Sequence, residues 1–237
     1  MPAQSRIASP GIKSPVVTLD GPSGSGKGTI SRLVAGHAGW HLLDSGALYR
    51  LAALAGARRG LDPNDVPGHA NLARTMNVTF GARPDGTELV TLDGQDVTLE
   101  LRSETAGSGA SRVAAWPELR AALLARQHAF AQPPGLVADG RDMGTVVFPG
   151  ADLKIFLTAS AAERAQRRYK QLKDKGSDVS LPALSREIAE RDLRDSTRAV
   201  APLKPAPDAE VIDSTALSIE QVVDRIVQIG RSRSLWA

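Results

Sequence analysis

The sequence contains no cysteine, and this absence excludes disulfide bonds, thiolate nucleophiles and thiolate metal ligands. Aromatic residues make up only 4% of the chain, and the three tryptophans are scattered, which argues against a base-stacking surface for single-stranded nucleic acid. No apolar run approaches the roughly 20 residues that span a bilayer, and the N-terminus has no apolar signal-peptide core. We therefore expect a cytoplasmic protein that binds neither membranes nor nucleic acid.

Length and composition are those of a folded globular protein. The chain has 237 residues, of which 42% are hydrophobic and 23% are charged, so wholesale disorder is excluded. This length suits one core that carries one or two inserted subdomains. We expect residues 1–14 and 230–237 to be terminal tails.

Positive charge is concentrated in one part of the chain. Lysines and arginines number 29 against 26 acidic residues, an excess too small to require a nucleic-acid partner. Between Arg164 and Arg198, however, ten basic residues accompany six acidic ones. This clustering predicts that the segment closes on an anionic ligand.

A glycine-rich loop follows the apolar run 16–19 and precedes a helical pattern over 30–38. The loop consists of Gly21, Pro22, Ser23, Gly24, Ser25, Gly26, Lys27, Gly28 and Thr29. Its glycines let successive N–H groups face an anion, and Lys27 adds a point charge for the outer phosphates of a nucleotide. Gly28 stands where such loops usually have a magnesium-binding Ser or Thr, and Thr29 is displaced by one position.

The remaining pattern alternates strands and helices, which predicts a parallel sheet with ligands at the carboxyl ends of its strands. The further apolar runs expected to form strands of this sheet are 41–43, 136–138, 153–157 and 211–212. Helices are expected over 48–59, 104–115, 117–131 and 182–194, and after capping boxes that start at Ser160, to about Lys175, and at Ser218. Short strands at 78–80, 88–92 and Val97, separated by turn residues such as Asp85-Gly86, indicate an inserted antiparallel hairpin unit.

Three further motifs give a specific resemblance. They are Asp44-Ser45-Gly46-Ala47-Leu48-Tyr49-Arg50, the run from Asp139-Gly140-Arg141-Asp142 to Pro149, and Arg191-Asp192-Leu193-Arg194-Asp195 with Arg198. Together with the Gly-Lys-Gly-Thr ending of the loop, they resemble the bacterial cytidylate kinases, in the nucleoside monophosphate kinase group of P-loop kinases. The resemblance covers about residues 15–229 and is weakest at 80–100 and 181–188.

The resemblance implies an α/β fold with a P-loop kinase core, an inserted nucleotide-binding subdomain and a helical lid. The core would comprise 15–44, 126–160 and 199–229, the inserted subdomain 45–125, and the lid 161–198. The activity implied is transfer of the γ-phosphate of ATP to CMP and dCMP, with Mg²⁺, by a monomer in pyrimidine metabolism.

The resemblance also implies which residues surround the acceptor nucleotide. They are Ser45, Tyr49, Arg50, Ser111, Arg120, Asp139, Arg141, Asp142, Arg191, Asp195 and Arg198. Guanidinium groups can neutralise a phosphate that carries nearly two charges. Asp142 would accept from the cytosine amine, whereas the carbonyl of uracil would face its carboxylate with lone pairs. Asp139 could orient Arg141 or a metal-bound water.

Three arginines in the basic segment are expected to lie on one helix and to act in a closing lid. In the resembling family this segment folds over ATP, which makes Arg164 and Arg168 expected catalytic residues and Arg167 an expected ATP-binding residue. The resemblance also implies catalytic roles for Lys27 and Asp139. The alternative for these three arginines is a solvated helix face. For Arg191 and Arg194 the alternative is ordinary surface pairs with Glu187 and Glu190, which lie four residues earlier.

Two alternatives to CMP phosphorylation stay open on the residues alone. One is another small-molecule P-loop kinase, acting on UMP, shikimate or dephospho-coenzyme A. The other is a nucleotide-gated RNA-binding switch, for which the basic segment is the only support. The four histidines lack the spacing of metal ligands, so no direct ligand of a metal is assigned.

Overall fold

In a computed structural model of the chain, residues 14–85, 87–174, 176 and 178–236 are described. The described residues form two compact units, one through Asp44 and from Gln127 onward (unit 1), and one comprising Ser45–Arg126 (unit 2). Most of the predicted N-terminal tail, Gly86 of the predicted turn and the predicted helix end at Lys175 lie outside the described residues. Ser14 is described and is buried.

Strands and helices alternate through most of the chain. The strands are β1 (Val16–Asp20), β2 (His41–Asp44), β3 (Val78–Ala82), β4 (Glu88–Leu92), β5 (Gln95–Asp96), β6 (Leu136–Gly140), β7 (Leu153–Thr158) and β8 (Glu210–Asp213). The α-helices are α1 (Lys27–Ala38), α2 (Ser45–Arg58), α3 (Val66–Thr75), α4 (Glu104–Val113), α5 (Pro117–His128), α6 (Ala161–Lys173), α7 (Leu181–Thr197) and α8 (Ile219–Ser232). A 3₁₀ helix covers Glu100–Arg102 and a π-helix covers Met143–Val147.

Unit 1 contains a five-stranded parallel sheet in the order β2-β6-β1-β7-β8. Every residue of the central strand β1 is buried, as expected for a parallel strand covered on both faces. Val17, Leu19 and Val137 join the apolar residues of α1 and α8 in one core. The sheet therefore has the parallel α/β architecture that the sequence predicts.

The glycine-rich loop 21–29, called the phosphate loop below, leaves β1 through a backbone conformation that only glycine fits. Gly21 has a φ of 149°, and a Cβ placed there would lie 2.0 Å from the carbonyl oxygen of Leu157 in β7. Helix α1 then begins at Lys27, three residues before the predicted start at Ile30, because Gly26 adopts a left-handed conformation as its N-cap.

The core extends beyond residue 229, where we predicted that a C-terminal tail begins. Helix α8 continues to Ser232, and the indole N–H of Trp236 donates to the carbonyl oxygen of Val227 at 3.1 Å. The Trp236 ring also packs edge-on against Trp40, with 5.4 Å between ring centroids. The apolar area of the indole ring ties this segment to unit 1.

Only one of the two predicted capping boxes is complete. Ser218 and Gln221 exchange both hydrogen bonds at the start of α8. At the start of α6, the Ser160 hydroxyl accepts from the backbone N–H of Glu163, but the Ser160 N–H donates to Thr215 instead. The tertiary contact with Thr215 therefore replaces the second half of the predicted box.

The described residues of unit 2 combine four α-helices and the 3₁₀ helix with a three-stranded antiparallel sheet in the order β3-β4-β5. The third strand is Gln95–Asp96, just before Val97, where we predicted it. Helix α3 was not predicted, and Pro67 and Gly68 in its first turn have low helix propensity. The Asp65 carboxylate caps this helix by accepting from the Gly68 N–H at 2.9 Å.

None of the helices in the described residues of either unit combines the length and the apolar composition that a membrane span needs.

We expect Gly21→Ala to lower the free energy of unfolding by about 2 kcal/mol or more, because its Cβ would overlap the Leu157 carbonyl. Gly36→Ala is the matched control, since this exposed glycine inside α1 has no atom within 4 Å of an added Cβ. The control should gain roughly 0.5 to 1 kcal/mol. Urea unfolding measures both, and equal stabilities of the two variants would contradict the close approach at Gly21.

Candidate active site

The phosphate loop presents the N-terminus of α1 to its concave side. Gly24 and Gly26 have φ values of 77° and 91°, conformations that turn the loop back on itself. Gly26 is the N-cap of α1 and has no side chain with which to satisfy the first N–H groups of the helix. Those N–H groups and the positive end of the helix dipole make an anion site.

Lys27 is buried within this loop. Its ammonium group donates to the Pro22 carbonyl at 2.7 Å and to the Ser25 hydroxyl at 3.3 Å. Burial, together with the nearby Arg141, lowers the pKa of Lys27 to about 7, although the carboxylates of Asp139 and Asp20 oppose the shift. An anion beside the lysine would restore its charge.

A carboxylate lies beside the unusual glycine of the loop. A Cβ at Gly28 would be 3.5 Å from Oδ2 of Asp139. Asp139 of β6 is in register with Asp44 of β2 and Leu19 of β1, so two acidic residues lie on neighbouring strands at the carboxyl edge of the sheet. Among the described residues, no group of three or more acidic or histidine side chains could hold a metal ion.

Two ion pairs join the turn after β6 to the end of α7. Arg141 Nε lies 3.1 Å from Asp195 Oδ2, and Arg198 Nη2 lies 3.8 Å from Asp142 Oδ1. Burial raises the pKa of Asp195, but the guanidinium groups around it, Arg141 first, outweigh this effect and hold the pKa below its usual value. Arg191 acts on the same carboxylate, so four predicted acceptor residues of unit 1 share one electrostatic cluster with Asp142.

Arg164, predicted to act in the lid, contacts the phosphate loop directly. Its guanidinium donates to the Ser23 carbonyl at 3.0 Å and to Asp192 Oδ2 at 2.6 Å, and its Nε donates to the Ala159 carbonyl at 3.0 Å. The backbone and Cβ of Arg164 also lie just over 3 Å from where a Cβ at Gly24 would be. Arg164 therefore connects the loop, α6 and α7 in this structure.

The other two lid arginines have different surroundings. Arg167 donates to the carbonyl and the hydroxyl of Ser214, whose own hydroxyl lies 3.4 Å from the carbonyl oxygen of Ser25 in the loop. Arg168 is half-buried and donates to Gln171 at 2.6 Å on its own helix. Arg167 is thus linked to the phosphate loop through Ser214.

Five predicted acceptor residues belong to unit 2. They are Ser45, Tyr49, Arg50, Ser111 and Arg120. Arg120 is buried, and its guanidinium carbon lies 5.7 Å from the centroid of the Tyr49 ring, within cation–π range. Its Nη1 also donates to the Ala114 carbonyl at 3.2 Å. Tyr49 and Ala114, the C-cap residue of α4, therefore orient the Arg120 side chain.

Comparison with known proteins places this arrangement in a family. The family model described as cytidylate kinase matches residues 17–232. The chain belongs to the cytidylate kinase family.

Cytidylate kinase relatives match almost the whole chain. One from Stutzerimonas stutzeri is 60% identical over 93% of this chain and 97% of its own length. One from Azotobacter vinelandii is 56% identical over 94% and 98%. Among solved structures, a gluconokinase from Sinorhizobium meliloti aligns at 16% identity and a TM-score of 0.45, covering 93% of this chain and 94% of its own.

Three residues of this cytidylate kinase site were not predicted from the sequence. Asp192 and Ser214 contact predicted lid arginines through the tertiary structure: Asp192 lies within a quoted motif but was assigned no role, and no local pattern singles out Ser214. Asp20 precedes a glycine at the end of a strand, which is the pattern that drew attention to Asp139, so it could have been found.

We expect ATP binding at pH 8 to take up protons. In the empty protein Lys27 has a pKa of about 7, and burial raises the pKa of Asp20 to about 7 as well. A bound triphosphate, fully ionised at pH 8, would raise both pKa values, so the two groups shift protons in the same direction. Calorimetry in two buffers with different ionisation enthalpies measures the uptake.

Lys154→Met is the control for this measurement, because Lys154 is also buried but is paired with Asp208 at 2.9 Å. The proton uptake of the Lys154→Met variant on ATP binding should equal that of the wild type. Zero uptake or proton release by the wild type would mean that Lys27 already carries its full charge in the empty protein.

Proposed function

We propose that this protein transfers the γ-phosphate of ATP to CMP and dCMP, giving ADP and CDP or dCDP, as part of cytoplasmic pyrimidine nucleotide metabolism. The observation that carries the proposal is the family match over residues 17–232, which includes every predicted site residue. We further propose that the protein acts as a monomer.

The phosphate loop and Lys27 bind the donor. Lys27 now donates to a loop carbonyl and a hydroxyl, and a phosphate oxygen would be a stronger, charge-assisted acceptor for its ammonium group. The N–H groups at the start of α1 add donors that need no reorganisation when the anion binds. Arg167 contributes from α6, beside the loop.

Arg50, Arg141 and Arg198 bind the acceptor phosphate, and Asp142 selects the base. The buried carboxylate of Asp142 accepts from the exocyclic amine of cytosine, while Ser111 and Arg120 donate to its ring nitrogen and carbonyl. Uracil would leave the carboxylate opposite a carbonyl, and a buried acceptor without a donor is costly. Asp195 and Arg191 bind the ribose hydroxyls, with Tyr49 beside them.

The chemical step needs no general base, because the attacking group is already a phosphate oxyanion. Catalysis consists of placing the two phosphates in line, neutralising charge and excluding water from ATP. Lys27, Arg164 and Arg168 stabilise the charge that spreads over the transferred phosphoryl group. Motion of the lid segment 161–198 would provide the exclusion of water.

Mg²⁺ fits the carboxylate edge of the sheet. Asp139 and Asp44 supply the oxygen ligands that Mg²⁺ prefers, and Gly28 places no side chain against Asp139 Oδ2. We propose that these carboxylates hold the ion through water molecules. Bound there with ATP, Mg²⁺ would neutralise charge on the donor phosphates.

A coupled assay of ADP release with Mg·ATP tests the function on a panel of acceptors. CMP and dCMP should give turnover, while UMP, shikimate and dephospho-coenzyme A should react far more slowly. No response to CMP would overturn the proposal. Tight, salt-sensitive RNA binding without transfer to CMP would favour the nucleotide-gated switch instead.

We expect Asp142→Ala to lower the preference for CMP over UMP by roughly 10-fold or more, since base contacts of this kind discriminate by about 1–3 kcal/mol. The ratio of kcat/KM for the two nucleotides measures the effect. Asp224→Ala, which removes an exposed carboxylate on α8, is the control and should keep the wild-type ratio. An unchanged ratio in Asp142→Ala would show that base selection lies elsewhere.

We expect stability to separate two of the lid arginines. Arg164→Ala should lose both activity and about 3–5 kcal/mol of unfolding free energy, because it leaves the half-buried Asp192 without its guanidinium partner. Arg168→Ala should lower kcat roughly 100-fold and change stability by only about 0.5 kcal/mol. Thermal unfolding and initial rates measure both. Equal destabilisation of the two variants would contradict this division.

A further inference from the structure

Asp20 connects the phosphate loop to the turn that carries two of the proposed acceptor residues. It is the last residue of β1 and is immediately followed by Gly21. Its carboxylate is buried, and each oxygen accepts one backbone hydrogen bond: Oδ1 from the Met143 N–H and Oδ2 from the Gly144 N–H, both at 2.8 Å. Both oxygens therefore bind the backbone directly after Asp142.

The two N–H groups belong to the first residues of the π-helix Met143–Val147, and the first N–H groups of a helix have no partner within it. An aspartate at the N-cap commonly satisfies such groups with its own side chain. Asp142 stands at the N-cap here, yet its side chain makes no capping hydrogen bond. Asp20 caps this helix from another strand, so the Asp142 carboxylate is not required for that task.

Packing leaves this turn little room to move. A Cβ at Gly140 would lie 2.7 Å from the side chain of Met143, and a Cβ at Gly144 would lie 2.8 Å from the Thr18 hydroxyl. Gly140 is also paired in register with Asp20 itself. The backbone on both sides of Asp142 is thus closely packed, at Gly140 against Met143 and at Gly144 against Thr18 of β1.

We propose that Asp20 is a positioning residue for acceptor recognition: by binding the Met143 and Gly144 N–H groups, it holds Arg141 and Asp142 where they meet the phosphate and base of CMP. This inference rests on the function proposed above. It adds a specificity-determining role for a residue that touches neither nucleotide. Its effect reaches the substrate through the backbone of residues 141–144.

An electrostatic role of Asp20 toward ATP predicts a different result. The same carboxylate acts on Lys27 and helps to keep that lysine charged. Removing its charge would weaken the charge on Lys27 but would also remove a negative group near the triphosphate. These two effects on ATP affinity oppose each other, whereas the loss of the backbone anchor weakens CMP recognition only.

Asp20→Asn tests the proposal with little change in volume. Asparagine keeps one acceptor oxygen, but its amide group would meet the second backbone N–H as donor against donor. We expect the Kd of CMP to rise about 10-fold or more and the CMP/UMP preference to fall, because losing a hydrogen bond to a charged group exceeds the 1.4 kcal/mol of a tenfold change. The Kd of ATP should change less than about 3-fold.

Asp152→Asn is the matched control. Asp152 uses a carboxylate oxygen in the same way, accepting from the Val16 N–H at 2.9 Å, but at the opposite end of β1. Asparagine keeps the one acceptor oxygen that the Val16 N–H needs, so this variant should change neither the Kd of CMP nor the CMP/UMP preference. If Asp20→Asn behaves like this control, or if its ATP affinity falls more than its CMP affinity, the positioning role is wrong.

A measurement on the unmutated protein covers the case in which Asp20→Asn fails to fold. The amide hydrogens of Met143 and Gly144 should exchange slowly with solvent in the empty wild type, and fast exchange would overturn the proposal. The wild-type assay with CMP keeps the two hypotheses apart. Without CMP turnover the proposed function fails, whereas turnover together with an unaffected Asp20→Asn variant rejects the positioning role alone.

Discussion

The burial of Lys27 at the start of α1 is the constraint on which the rest of the site depends. A buried ammonium group is costly unless polar groups surround it, and here two loop oxygens accept from it while the carboxylates of Asp20 and Asp139 act on it from the sheet edge. Arg141 and Arg191 oppose its charge. The balance favours an anion in the loop, since an anion would offset all three cations together.

Three arginines of unit 1 are also stabilised by oppositely charged groups. Arg164 is paired with Asp192, Arg141 with Asp195, and Arg198 with Asp142. A buried guanidinium group without a partner would be strongly destabilising, so these carboxylates keep the cations in place when no phosphate is bound. On the proposed roles, a nucleotide phosphate would replace a carboxylate as the anionic partner of these guanidinium groups, with little change in the charge around them.

Local patterns predicted most of the fold, whereas long-range contacts decided what they missed. The buried runs, the glycine-rich loop and the Ser218 capping box can be recognised from neighbouring residues alone. The structure confirms the parallel sheet and the capping box that they predict. Pro67 and Gly68 in its first turn obscure the helical pattern of α3. The π-helix after Asp142 depends on the Asp20 carboxylate of β1, which is distant in sequence. The contacts of Asp20 with the π-helix and of Ser214 with Arg167 depend on the tertiary structure for the same reason, although the Asp-Gly pattern could have drawn attention to Asp20 itself.

The most direct test of phosphoryl transfer to CMP is to label the γ-phosphate of ATP and to identify the product that carries the label. With CMP present, the loop, the paired arginines and Asp142 should deliver the label to CDP, with little released as inorganic phosphate. UMP in place of CMP should give far less labelled diphosphate. Label that appears only in inorganic phosphate, at the same rate with or without CMP, would contradict phosphoryl transfer to a cytosine nucleotide.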